Sequence, residues 1–209
     1  MSIPYGPILV VEDVPNILEL LDVTLRFKGY PVVTAKNGED ALELVNQEHP
    51  ALIITDLMMP KLDGFAMIQQ LRSNPKTSRI PIIVLSATYV TPEDKEFVMR
   101  MGVMRFLEKP VDTDEFLFTV QEVLTARTAT MPEPLSEGEF FKGYRERLEN
   151  KLRQKLNQIQ RTEYLMSTLS ADQQAAFQAF LEDAYLQRQQ IQAELDELYR
   201  LMQPYQSSG

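Results

Sequence analysis

Five short β-rich runs alternate with amphipathic helical stretches, and two long helical stretches follow with no strand between them. That order predicts an α/β domain, a doubly wound five-stranded parallel sheet covered on both faces, followed by an all-α antiparallel hairpin. Three observations carry the prediction. The strand-like runs 8–11, 31–35, 51–55, 80–85 and 103–107 are mostly apolar throughout, as strands buried on two sides must be. The stretches between them repeat apolar residues at helical spacing: Ile17, Leu18, Leu21 and Leu25; Ala41, Leu42 and Val45; Phe65, Ile68 and Leu71; Phe97, Val98 and Met101. The alternation stops near residue 126, and the last helix of the first domain is expected over 112–126.

Residues 127–138 contain Thr128, Thr130, Pro132, Pro134, Ser136 and Gly138 without periodicity, and read as a linker between domain 1–126 and a helical region 139–205. Two helices are expected there, 139–168 and 171–203, the second started by the capping-box pattern Ser170-Ala171-Asp172-Gln173. Its seam is Phe177, Leu181, Ala184, Ile191, Leu195, Leu198 and Met202, interrupted at Arg188. The first carries a looser stripe of Phe141, Leu148, Leu152, Leu156, Ile159, Met166 and Leu169. Residues 142–161 hold seven basic side chains against two acidic, and 170–202 six acidic against two basic, so the pair is expected to fold as a coiled-coil-like hairpin. Phe180, Tyr185 and Tyr199 lie beside or off the seam. A second apolar surface is therefore expected to meet another copy, giving a homodimeric four-helix bundle, or the first domain.

Composition excludes several classes. A net charge of -9 disfavours generic nucleic-acid or anionic-membrane binding. The absence of cysteine removes thiol chemistry and suits a reducing cytoplasm, the expected location. A single histidine, His49, expected in a solvated loop, leaves no histidine triad or multi-histidine metal site. No apolar run is long enough to cross a bilayer.

The chemistry concentrates at strand ends. Glu12 and Asp13 follow Ile8-Leu9-Val10-Val11, Asp56 follows Leu52-Ile53-Ile54-Thr55, and Lys109 follows Phe106-Leu107-Glu108. Open α/β sheets bind ligands outside the carboxyl ends of their strands. Three carboxylates gathered there attract a hard divalent cation, and a lysine beside them can hold an anion bound to it. Glu12-Asp13 could instead cap the helix that starts near Pro15.

These residues resemble a response-regulator receiver domain over about residues 7–126. The resemblance rests on Glu12-Asp13, on Thr55-Asp56-Leu57-Met58-Met59-Pro60 with Asp63-Gly64, on Leu85-Ser86-Ala87 and on Lys109-Pro110. It implies a flavodoxin-like strand order 2-1-3-4-5. It implies a two-component phosphorelay switch in which a sensor histidine kinase or phosphotransfer protein donates a phosphoryl group to Asp56. It further implies Mg²⁺ held by Asp13, Asp56, the Met58 carbonyl and, through water, Glu12. Lys109, Ser86 and Ala87 would bind the phosphoryl group, and Ser86 with Phe106 would form the switch. The family often has tyrosine where Phe106 stands, so a hydroxyl contribution to the switch is missing here.

Such a domain is a stoichiometric phosphoacceptor with at most slow self-catalysed phosphotransfer and dephosphorylation, not an enzyme, and its output passes to a downstream protein partner. An aspartyl-phosphate hydrolase is the enzymatic rival, but Met58 occupies the place where such enzymes carry a second aspartate. The alternative output is a nucleic-acid-binding transcriptional regulator using the basic helix 142–161, through Arg145, Arg147, Lys151, Arg153, Lys155 and Arg161.

Overall fold

A computed structural model describes residues 6–87, 92–126 and 135–206. The chain divides into two compact units, Met1–Glu137 and Gly138–Gly209. The first holds β1 (Ile8–Val11), α1 (Pro15–Phe27), β2 (Val32–Ala35), α2 (Gly38–Glu48), β3 (Leu52–Thr55), α3 (Gly64–Ser73), β4 (Ile82–Ala87), α4 (Pro92–Arg100), β5 (Arg105–Lys109) and α5 (Thr113–Thr125). All strand pairs are parallel, in the order β2-β1-β3-β4-β5 expected from the sequence.

Alternation along each strand sends successive side chains to opposite faces. Ile8, Val10, Leu52, Ile54, Ile83, Leu85 and Leu107 meet α1 through Leu18, Leu21 and Leu25, and α5 through Phe116, Val120 and Val123. The intervening residues Leu9, Val11, Ile53, Ile82 and Val84 are equally buried. That two-sided burial is why the strands read as continuous apolar runs.

β4 and β5 lie about two residues later than the sequence suggests. Pro81 has no N–H for a ladder, and the Ile80 N–H is already turned back to the Thr77 carbonyl at 3.0 Å, so β4 starts only at Ile82. Gly102, at φ 87, ends the α4 segment in a left-handed turn, and β5 starts at Arg105. The shift has a consequence: Ser86, Ala87 and Lys109 belong to the strands and are not loop residues, with Ser86 registered on Glu108 and Ala87 on Lys109.

Arg72 on α3 braces the opposite pole of this unit. Only 7% exposed, its guanidinium donates to the carbonyls of Ser78 and Ile80 at 3.0 Å each and Gly102 at 2.9 Å. Burial pulls its pKa down to about 10, so it stays charged at neutral pH.

The second unit is a pair of helices, α6 (Glu137–Ser167) and α7 (Ala171–Gln206). Lys155 Nζ donates to Gln187 Oε1 at 2.7 Å, Tyr199 Oη to Glu149 Oε1 at 2.7 Å, and Tyr185 Oη to Glu163, partners that run in opposite directions along the two helices. An antiparallel hairpin results. The α7 seam is as expected, with Leu181, Ala184, Ile191, Leu195 and Leu198 buried and Arg188 outside. The α6 stripe differs. Phe140, Tyr144, Leu148, Ile159 and Thr162 are its buried positions, while Leu156 is 44% exposed and Phe141 only half-buried. Lys155 sits half-buried facing α7 instead of Leu156, because its ammonium finds the Gln187 amide oxygen across the seam and that of Gln158 on its own helix. No helix among the described residues is long and apolar enough to cross a membrane.

Candidate functional site

The parallel ladder places Asp56 against β1: its N–H donates to the Val11 carbonyl at 3.0 Å, immediately before Glu12. The loop after β3 then folds back. Gly64 N–H reaches the Leu57 carbonyl at 3.0 Å, and a Cβ on Gly64 would stand 2.4 Å from the Asp56 carbonyl oxygen. A side chain there would push the loop off Asp56, which accounts for the glycine. Asp63 before it caps α3, accepting from the Ala66 N–H at 2.9 Å.

Four groups hold the Asp56 carboxylate, which is 7% exposed as a residue. Oδ1 accepts from Ser86 Oγ at 2.8 Å, the Leu57 N–H at 2.5 Å and the Met58 N–H at 3.1 Å. Oδ2 accepts from Lys109 Nζ at 2.6 Å. The same ammonium lies 2.5 Å from Glu12 Oε2, and Glu12 Oε1 accepts from the Val14 N–H at 3.2 Å. Residues 97 and 53 positions apart thus meet at one cation.

Glu12 is 1% exposed, and burial raises its pKa above the ordinary 4.5, against the lowering pull of Lys109. Burial acts to lower Lys109, but its hydrogen bonds and charge interactions with Asp56 and Glu12 more than offset that. Its pKa ends above the ordinary 10.5. The lysine therefore remains an ammonium.

The remaining expected site residues fall as follows. Asp13 is half-buried and makes no side-chain hydrogen bond or ion pair among the described residues. Neither acidic residue caps α1, whose N-cap is Val14 without a side-chain bond. Met58 is 44% exposed beside Asp56. Ala87 ends β4 in register with Lys109; its side chain lies outside the described set. Phe106 is half-buried on β5, with Lys95 Nζ 5.2 Å from its ring centroid. His49 is exposed, in a left-handed conformation at the end of α2.

Among the described residues no three acidic or histidine side chains are gathered closely enough to hold a metal ion. Glu12 and Asp56 do meet, but around the Lys109 ammonium, which supplies the positive charge there. The donor chemistry still fits a hard cation. Glu12, Asp13, Asp56 and the Met58 carbonyl offer only oxygen, and the two carboxylates that meet at Lys109 share one ammonium, leaving a formal deficit of positive charge. Sequence reasoning missed the Leu57 and Met58 N–H donors, which no side chain signals. It also missed Lys95, which reads as one more surface charge.

Residues 8–121 match the family described as the response regulator receiver domain. Protein PilH of Pseudomonas aeruginosa is 38% identical over 117 residues, 56% of this chain and 96% of that protein. The DNA-binding dual master transcriptional regulator RpaA of Synechocystis is 36% identical over 134 residues, 64% of this chain but only 55% of that protein's length. The crystal structure of a response regulator receiver protein from Pseudomonas putida superposes with a TM-score of 0.54 at 32% identity, covering 58% of this chain and 99% of that one. Receiver domains of this kind interact with histidine kinases or phosphotransfer partners and generally bind Mg²⁺ at their phosphorylation site. With its sheet order, its strand-end acids and this match, the chain belongs to the response regulator receiver domain family of two-component systems.

Proposed function

We propose that Asp56 accepts a phosphoryl group from a phosphohistidine of a sensor kinase or phosphotransfer protein, making the chain a phosphorylation-dependent switch. The observation that carries this is the Asp56 carboxylate held from both sides, by Ser86 and two N–H groups on Oδ1 and by Lys109 on Oδ2. Those donors fix the carboxylate at the carboxyl end of the sheet. A carboxylate oxygen attacks phosphorus, the P–N bond breaks with its electron pair left on the donor imidazole, and an acyl phosphate forms on Asp56. The Lys109 and Ser86 donors pass from the carboxylate to the phosphoryl oxygens. Asp13, Asp56, the Met58 carbonyl and, through water, Glu12 would hold Mg²⁺, which would supply the charge neutralisation that phosphoryl transfer to a carboxylate needs. The protein acts stoichiometrically and is not an enzyme.

Incubation with acetyl phosphate and Mg²⁺ tests the assignment. Wild-type protein takes up one phosphoryl group, acid-stable but cleaved by hydroxylamine, and Asp56→Asn takes up none. Label on another residue, or undiminished label in Asp56→Asn, overturns it.

Output passes through the hairpin to a second copy and a downstream protein. Support comes from its exposed apolar residues, Phe180 at 49%, Leu186 at 54% and Tyr164 at 75%, beyond those the hairpin buries. The basic helix is partly occupied within its own unit, with Lys155 on Gln187 and Arg145 on Glu149, which favours a protein partner over nucleic acid. Phe180→Glu should lower the mass measured by light scattering. An unchanged monomeric mass in wild type would remove the homodimer.

A further inference from the structure

We infer that Lys95 is a positioning residue for this switch: its ammonium pins the Phe106 ring in the half-exposed place it takes while Asp56 is unmodified. The inference rests on the phosphoacceptor reading of Asp56 and deepens it. Strand alternation puts Phe106 and Glu108 on the same face of β5, and the register sets Phe106 beside Val84 and Glu108 beside Ser86. That face is therefore continuous with the hydroxyl that holds Asp56 Oδ1 at 2.8 Å. Lys95, on α4, reaches both β5 residues at once. Its Nζ lies 5.2 Å from the centre of the Phe106 ring and 3.2 Å from Glu108 Oε1. The carboxylate fixes the ammonium, and the ammonium fixes the ring.

Charge makes this arrangement a latch and not merely a packing contact. Phenylalanine at 106 has no hydroxyl with which to anchor itself, so the ring's electrostatic partner is the cation over its face. Both charged side chains are about half exposed, 48% for Lys95 and 57% for Glu108, so the hold is weak and easily reversed. A weak hold suits a device that one modification must overcome. Phosphorylation at Asp56 adds about 1.5–2 negative charges and draws the Ser86 hydroxyl toward them. For the ring to follow on the same face it must leave Lys95. Release leaves the Lys95–Glu108 pair on the α4–β5 surface without the ring against it, altering what a partner meets there. The exposed cation–π contact, which only one ring position makes, biases the two positions by about three- to fivefold.

Full-length protein containing 4-fluorophenylalanine tests the latch by ¹⁹F resonance, the Phe106 signal being identified by its loss in Phe106→Leu. Beryllofluoride with Mg²⁺ serves as the phosphoryl mimic. In Lys95→Met the Phe106 signal of the unmodified protein should move toward its beryllofluoride-bound position, and the titration midpoint should fall about three- to fivefold. Glu108→Gln, which frees the ammonium but keeps the ring, should shift both readouts the same way by less. Lys95→Arg, which keeps the cation over the ring, should restore wild-type values. Added salt should move wild type toward Lys95→Met and leave that variant unchanged. A Lys95→Met protein with wild-type shift and midpoint overturns the latch while leaving Asp56 in place. A beryllofluoride response surviving in Asp56→Asn overturns the phosphoacceptor reading instead.

Discussion

Replacing Lys109 by methionine keeps the length of the side chain and removes the ammonium that balances two buried acids. In the structure its side chain is 15% exposed and contacts Glu12 at 2.5 Å and Asp56 at 2.6 Å, whose side chains are 1% and 9% exposed. Deleting one partner of a buried ion pair costs about 3–5 kcal/mol, because the other charge is left without compensation. Glu12 limits the loss, since burial already raises its pKa and it can take up a proton instead. A deficit of about 3 kcal/mol at pH 7.5 is therefore expected, roughly a 10 °C fall in the receiver unit's Tm.

The pH dependence follows from the direction of each shift. Lys109 is raised, so its stabilisation is fully present below the ordinary 10.5 and fades only as pH climbs through the higher folded value. At pH 7.5 the wild type carries all of it. Glu12 is also raised, so the folded state binds more protons than the unfolded one above 4.5, and stability from that source falls as pH rises through the folded value. Without Lys109 the lowering influence on Glu12 disappears and that window extends upward. The deficit should shrink between pH 7.5 and 5. Differential calorimetry of full-length wild type and Lys109→Met at the two pH values reads both effects. A Tm within 2–3 °C of wild type at pH 7.5, roughly a quarter of the expected fall, would refute the charge-compensation argument, as would a deficit equal at both pH values.

Other substitutions probe separate parts of the structure. Gly64→Ala should slow acetyl-phosphate labelling and cost about 1–3 kcal/mol in urea unfolding, since its Cβ would collide with the Asp56 carbonyl. Arg72→Met should cost about 3 kcal/mol with labelling chemistry intact in the folded fraction, because three carbonyls lose a charged donor far from Asp56. Arg72→Lys should recover only part of that loss, as one ammonium cannot reproduce the planar fork. Mg²⁺ at a hundredfold excess over its Kd should stabilise the wild type by about 2.7 kcal/mol in thermal melts, and Asp13→Asn should abolish most of the gain. Asp13 makes no side-chain hydrogen bond or ion pair among the described residues, so its loss should leave the melt without Mg²⁺ almost unmoved.

The sequence alone determined the sheet, its alternation with helices and the residues at its carboxyl edge. Those features are written in local patterns: apolar strand runs, helical periodicity and charged residues directly after Val11 and Thr55. The α7 seam was legible for the same reason, since a regular heptad survives any partner. Tertiary structure decided what local patterns do not encode. Pro81 and Gly102 set where β4 and β5 begin, and that register drew Ser86 and Lys109 into the strands. Which acids meet depended on a cation 97 residues from Glu12, and Asp13, adjacent in sequence, stayed out of the contact. In α6 the polar reach of Lys155 displaced Leu156 from the seam, a choice settled by the Gln187 amide opposite it. Lys95 and Arg72 carried no sequence signal at all, because a charge on a helix acquires its role only from what folding sets against it.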